Sequence, residues 1–305
     1  MIAIAGGAGR LGRLLAAALV DRGEAVRVLT RDPARLPDEL RGRVEVAGLD
    51  LQDPSTIGPA LTGAQTVVSA VTGFGGPGAA GAAAIDGDGN LALIAAAEAA
   101  GATRFILLSV ARAAPDSPVG LFRAKHAAEE RLRASRLAWT IVRPTAYMET
   151  WIDMVGRPLA ETGRTRVFGR GRNPLNFVSV GDVARIVEEI VVSDAFRGET
   201  ITVAGPANLP MDEVAHAVER LTGRTGRIDH ASPAVMRVMA AVLGVLRPVT
   251  ADQVRAGVLM DTADMRMEPT DRLARFPGIP LTTLDEAVRR TISPSAAQMP
   301  APSRA

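Results

Sequence analysis

The sequence predicts an α/β protein, built as a doubly wound parallel sheet with a smaller, mainly helical C-terminal lobe. Three observations predict it. Over roughly the first 150 residues short apolar runs alternate with stretches of helical periodicity. A glycine series, Gly6, Gly9 and Gly12, falls where the first apolar run turns into the first helical stretch. Beyond Pro144 the alternation loosens into longer helical segments, one of them rich in methionine.

The elements follow in order. "MIAIAGG" is a short apolar run ended by glycines, which predicts a buried strand, and "RLGRLLAAALVDRG" repeats apolar residues at helical spacing and stops at Gly23. "AVRVLT", "VEVAGLD" and "TVVSAV" predict the next three strands, the last followed by the loop "TGFGGPGAAGAAA". "DGNLALIAAAEAAG" predicts a helix ending at Gly101, "RFILLSV" a fifth strand, "PVGLFRAKHAAEERLRAS" a helix and "AWTIVRP" a sixth strand closed by Pro144. "FVSVGDVARIVEEIVV" predicts a short extended segment and a helix capped near Asp182, and "ETITVAG" a seventh strand. "MDEVAHAVERLTGR" and "PAVMRVMAAVLGVLRP" are helical. These elements divide into a dinucleotide-binding domain (1–147 and about 176–204), a substrate lobe (about 148–175 and 205–292) and a disordered tail, 293–305, poor in large apolar residues.

Composition excludes several functions. A chain of 305 residues with 47% hydrophobic and 22% charged residues has material for a sizeable core. Net charge is only +2 and aromatics are 3%, so no stacking platform for nucleic acid is visible. There is no cysteine, which excludes disulfides and thiolate catalysis. His126, His216 and His230 show no ligand spacing, so no metal is expected. The first twenty residues lack the basic start of a signal peptide, and no uncharged stretch reaches membrane-spanning length. The expectation is a cytoplasmic monomer or homodimer with a small-molecule partner, and no nucleic-acid or membrane partner.

The glycine series predicts dinucleotide binding. Glycine permits the tight turn and lets backbone N–H groups approach a pyrophosphate at a helix N-terminus. The end of the second strand selects the cofactor. Where an NAD site places an acidic residue, this chain has Thr30-Arg31-Asp32-Pro33. Arg31 suits a 2′-phosphate, with Arg10 of the glycine turn in support, so NADPH is expected over NADH. Asp32 before Pro33 also suits a helix N-cap. Asp50 is suited either to the adenine amino group or to a turn cap.

Lys125 is the only lysine; the other 34 of the 35 basic residues are arginine. A compact amine at this one place points to a role that a guanidinium does not fill. His126, about 100° away on the same helix, is read as a surface or packing residue, and Arg143 as the partner of a carboxylate near the sheet end.

The segments "GGAGRLG", "VRVLTRDPARL", "VEVAGLDLQD", "NLALIAAAEAAGATRFILLSV", "AKHAAEERLRASRLAWTIVRPTAYME" and "NFVSVGDVARIVEEIV" resemble, in order, the NmrA-like branch of the atypical short-chain dehydrogenase/reductases, covering residues 1 to about 205. The resemblance implies a Rossmann-type domain binding NAD(P)(H) under a smaller substrate lobe. It assigns Gly6, Gly9, Arg10, Leu11 and Gly12 to the pyrophosphate turn and Arg31 to the 2′-phosphate. It assigns Asp50 and Leu51 to the adenine side, and Ser69, Ala70 and Val71 to the adenosine ribose. Pro144, Thr145 and Ala146 fall beside the nicotinamide, Lys125 on its ribose, and Ser109 at the usual serine or threonine position. The Tyr-x-x-x-Lys motif is broken: the stretch is Leu121-Phe122-Arg123-Ala124-Lys125, so leucine stands where the phenolic acid is expected. Lys125, Ser109 and the single tyrosine, Tyr147, are then the candidate catalytic residues. Met148, Trp151, Phe168, Met236 and Met239 are candidate substrate contacts, set among apolar stretches that suit a flat apolar, aromatic or quinone-like ligand. The stripe Met236, Met239, Leu243 and Leu246 also reads as core. The implied activity is NADPH-dependent hydride transfer to a carbonyl, enone or quinone. The arginine- and alanine-rich composition associates it with bacterial specialised metabolism. The alternative is a non-catalytic NADP(H) sensor.

Overall fold

The computed structural model describes residues 1–74 and 81–292; the expected tail and part of the glycine-rich loop lie outside them. In chain order the first half is β1 (Ile2–Ala5), α1 (Arg10–Asp21), β2 (Val26–Thr30), β3 (Glu45–Gly48), α2 (Pro54–Ala60), β4 (Thr66–Ser69), α3 (Asn90–Ala99), β5 (Arg104–Leu108), α4 (Gly120–Arg133) and β6 (Ala138–Pro144). The second half is β7 (Ala146–Tyr147), α5 (Met148–Trp151), α6 (Arg157–Thr162), β8 (Arg164–Phe168), β9 (Pro174–Val178), α7 (Val180–Val192), β10 (Glu199–Val203), β11 (Ala207–Pro210), α8 (Met211–Thr222), β12 (Arg227–Ala231), α9 (Pro233–Leu246), α10 (Pro248–Thr262), α11 (Thr270–Arg275) and α12 (Leu284–Thr291). Two π-helical turns, Ala83–Gly89 and Ile152–Gly156, precede α3 and α6.

Seven strands form one parallel sheet in the order β10-β6-β5-β4-β1-β2-β3. The chain reverses direction across the sheet between β1 and β4, the switch point at which ligands enter such folds. The period of two divides the strand residues between two cores. Ile2, Ile4, Val28, Ile106 and Val142 face Leu15 and Leu19 of α1 and Val183, Ile186 and Val187 of α7. Ala3, Ala5, Leu29, Phe105 and Ile141 face Leu93 and Ile94 of α3 and Leu132 of α4. With both faces covered, continuous apolar runs are required, and each buried Leu, Val or Ile contributes about 1.5–3 kcal/mol.

The second lobe carries more strand than its sequence advertises. β11-β9-β7 make a three-stranded sheet, and β12 pairs in parallel with β8. α7 is capped by Ser179, whose hydroxyl accepts from Gly181 N–H. Asp182, the expected cap, is buried instead and pairs with Arg272 at 3.2 Å.

Candidate cofactor and substrate site

The expected cofactor residues gather at the carboxyl ends of β1, β2, β4, β5 and β6. Gly6 has φ +77°, and a Cβ there would sit 2.9 Å from the Ala70 carbonyl oxygen. A Cβ on Gly12 would lie 2.3 Å from the Gly6 carbonyl oxygen. The turn therefore admits only glycine at these places and leaves an open cradle at the start of α1, whose N-cap, Gly9, supplies no side chain to the first turn. These residues fit a pyrophosphate. Leu11 is buried in the core beneath the turn.

Arg31 is exposed and makes no hydrogen bond or ion pair among the described residues, so its fork is free for an anion. Arg10 has a partner: its guanidinium reaches Asp153 at 2.5 Å through one nitrogen. Asp32 accepts from Ala34 N–H as the N-cap of a short 3₁₀ turn opened by Pro33. Asp50 likewise accepts from Gln52 N–H at 3.0 Å, the turn-cap reading. Leu51 packs against Gly89.

Lys125 is 3% exposed. Nζ donates to Val71 O at 3.0 Å and to Leu108 O at 2.8 Å, tying the ends of β4 and β5 together. Asp86, fully buried on the first π turn, lies 3.0 Å from Nζ through Oδ1 without hydrogen-bond alignment, while its Oδ2 accepts from Gly73 N–H. One ammonium hydrogen is left without a directed partner among the described residues. Asn90 donates to the Asp86 carbonyl and accepts from the Ser69 hydroxyl at 2.6 Å. Sequence reading missed both Asp86 and Asn90. It started the helix at Asp88, whereas a π turn with no 3.6-residue period extends it backwards and swings Asp86 inward. Such turns are frequent at functional sites, and the glycines Gly87 and Gly89 around Asp86 were the available signal.

Ser109 is buried. Its hydroxyl donates to Glu129 Oε1 at 2.5 Å, and Glu129, fully buried, is held by Arg143 and Arg133. The proton expected for substrate is committed to a carboxylate inside the fold. Arg143 does find its carboxylate there, and Glu129 holds the guanidinium pKa above its ordinary value. Thr145 donates to Asn176 Oδ1, Ala146 pairs with Phe177 in the small sheet, and the Pro144 carbonyl accepts from Ala111 N–H. Tyr147 is half-buried. Burial, then the nearby charge of Glu149, pushes its phenol pKa up, so it holds its proton.

Leu121 is buried in an apolar cluster. It packs with Ala82, Val119 and Ala256, rimmed by Phe74, Val110, Phe122 and Leu259. α10 covers this cluster: Asp252 accepts from Gly120 and Leu121 N–H, and Gln253 donates to Phe74 O. The expected substrate contacts are elsewhere. Met236 is fully buried between α9 and α10, and Met148 is core, touching only a cavity of about 300 Å³ beside Leu209, Glu213 and Leu284. Trp151 is partly buried in that same core. Phe168 is 37% and Met239 38% exposed. Arg112, just past β5, has φ +65°, the one positive-φ residue other than glycine among the described residues.

A glycine-only turn at the switch point of a parallel sheet defines a dinucleotide-binding protein of the Rossmann class. The chain belongs to the NAD(P)H-binding family, whose profile matches residues 6–194. It is 28% identical over 239 residues to a photosystem II assembly factor, Ycf39, of Synechocystis, covering 78% of this chain and 72% of that protein. It is 28% identical over 228 residues to an NAD(P)H azoreductase of Xenophilus azovorans, covering 74% and 76%. Its fold superposes on the Escherichia coli quinone oxidoreductase QOR2 in complex with NADPH with a TM-score of 0.76 at 22% identity, over 96% of this chain and all of that one.

Proposed function

We propose that this protein is an NADPH-dependent reductase of a flat, mainly apolar acceptor, with a quinone or enone as the best-matched class. The apolar cluster around Leu121 carries the reading. Where the parent motif places an acidic phenol, this chain places hydrocarbon. That favours acceptors whose reduced form needs no proton from the protein as the hydride arrives. The bound nicotinamide supplies the hydride. The glycine turn and Arg31 hold the cofactor, and Lys125, through its free hydrogen, holds the nicotinamide-side ribose. Leu121, Phe74 and Phe122 exclude water and stack the acceptor. Tyr147 keeps its proton and serves as a hydrogen-bond donor. The azo and quinone acceptors named for the relative and the fold neighbour are of this flat, conjugated kind.

The test is titration of the protein with NADPH and NADH, followed by quinone, enone and azo panels read at the nicotinamide absorbance. Tighter NADPH binding with oxidation by a panel member supports the reading. Tight binding with no turnover across the panel favours the second reading, a non-catalytic NADP(H)-binding regulator. That reading is supported by the internal commitment of Ser109 and by the likeness to an assembly factor.

A further inference from the structure

Helix α9 carries two apolar stripes, and only one has a partner among the described residues. Met236 and Ala240 face α10. Val235, Val238, Met239, Val242, Val245 and Leu246 recur at the spacing of a second helical face, and they are six of the twelve exposed large hydrophobic side chains among the described residues. Their exposure is 63% at Val235, 66% at Val238, 38% at Met239 and 62% at Val242, and is highest at the corner where α9 meets α10, 86% at Val245 and 76% at Leu246. Arg247 and Pro248 complete the corner, and both are exposed. No acidic residue occurs from Ala231 to Ala251, while Arg237 and Arg247 are exposed cations.

We propose that the α9–α10 corner docks on an anionic lipid surface, with Val245 and Leu246 entering the interface and the arginines held by the headgroups. An apolar face beside unopposed cations is the pattern of an interfacial helix. The highest exposure, at Val245 and Leu246 beside the exposed Arg247, fits insertion of that corner. No helix among the described residues is long and apolar enough to cross a membrane, so the attachment is peripheral. This replaces the expectation of no membrane partner. α10 also covers the Leu121 cluster, so docking would bring the proposed acceptor site close to the phase that dissolves apolar acceptors.

The experiment is co-sedimentation with vesicles of phosphatidylcholine alone or with about 30% phosphatidylglycerol, alongside light scattering. The expected result is a monomer that partitions at least about tenfold more onto the anionic vesicles, reversed by salt. Val245→Ser/Leu246→Ser, which changes only exposed side chains, abolishes the partitioning and keeps NADPH affinity. Arg237→Gln/Arg247→Gln weakens it several-fold. No binding to anionic vesicles, or binding unchanged in the serine variant, overturns the proposal. So does a wild-type dimer that the serine variant converts to monomer without any vesicle binding, which assigns the face to a second copy. The readouts need no turnover, so either failure leaves the reductase reading untouched.

Discussion

Two buried acid–base pairs sit in this fold, and they are finished differently. Arg272 of α11 and Asp182 of α7, the helix packed on the parallel sheet, are 1% and 2% exposed in their side chains. The Asp182 carboxylate is saturated: Oδ2 takes Arg272 and Thr282 N–H, and Oδ1 takes the Thr282 hydroxyl at 2.7 Å. Arg272 also donates to the Ala204 and Pro280 carbonyls, although burial presses its pKa down and its Nε has no partner. At the carboxyl edge of the sheet Lys125 and Asp86 are as deeply buried, but Asp86 Oδ1 lacks an aligned donor and Lys125 keeps an undirected hydrogen. The two pairs differ in their carboxylates: both oxygens of Asp182 are taken up by aligned donors, while Asp86 Oδ1 has only the unaligned ammonium beside it.

Arg272→Ala should give the largest stability loss, about 3–5 kcal/mol, because it strands Asp182 without its counter-charge. Urea denaturation measures it, and NADPH affinity of the folded fraction should be unchanged. A loss equal to that of a surface arginine would break the comparison. Gly12→Val should reduce NADPH binding by at least about a hundredfold, since its Cβ meets the Gly6 carbonyl at 2.3 Å. Calorimetry reads it. Lys125→Met keeps the apolar stem and removes the amine. It should weaken NADPH about tenfold, roughly 1.4 kcal/mol, with a stability loss below that of Arg272→Ala. The reverse ranking would make Lys125 a structural pin like Arg272. Arg31→Ala should cut the preference for NADPH over NADH about tenfold and leave the unfolding midpoint alone.

The smallest effect concerns acid. The Arg136 backbone N–H, and then Arg131, hold the Glu98 carboxyl pKa below its ordinary 4.5. A depressed carboxylate adds stability above its unfolded pKa, and that stability is lost as pH falls through the folded value. Glu98→Gln should therefore flatten the stability profile slightly below about pH 4.5 and lower the plateau above it by a few tenths of a kcal/mol, as for exposed pairs.

Much of the cofactor half was legible in the chain. Each strand of the parallel sheet is a local apolar run, and the Gly6, Gly9 and Gly12 spacing encodes a turn within seven residues. The substrate side was far less so. Met236 and Met239 lie on one helical stripe in sequence, yet the first is fully buried and the second 38% exposed, because periodicity reports apolarity and not what stands opposite. Ser109 was legible as a position but not as a partner of Glu129, twenty residues on.

By itself, then, the sequence determined the layered α/β architecture, the glycine cradle and the loss of the phenol at Leu121, since each is written in neighbouring residues. Only the tertiary structure decided that a π turn brings Asp86 to Lys125, and that Arg10 is bound to Asp153 and Arg31 is left free. It also decided that α4, whose N-cap Val119 has no side-chain acceptor, is capped by Asp252 from α10. Those outcomes depend on which groups meet across 39 residues or 132, a matter of packing and electrostatic satisfaction that no local pattern records.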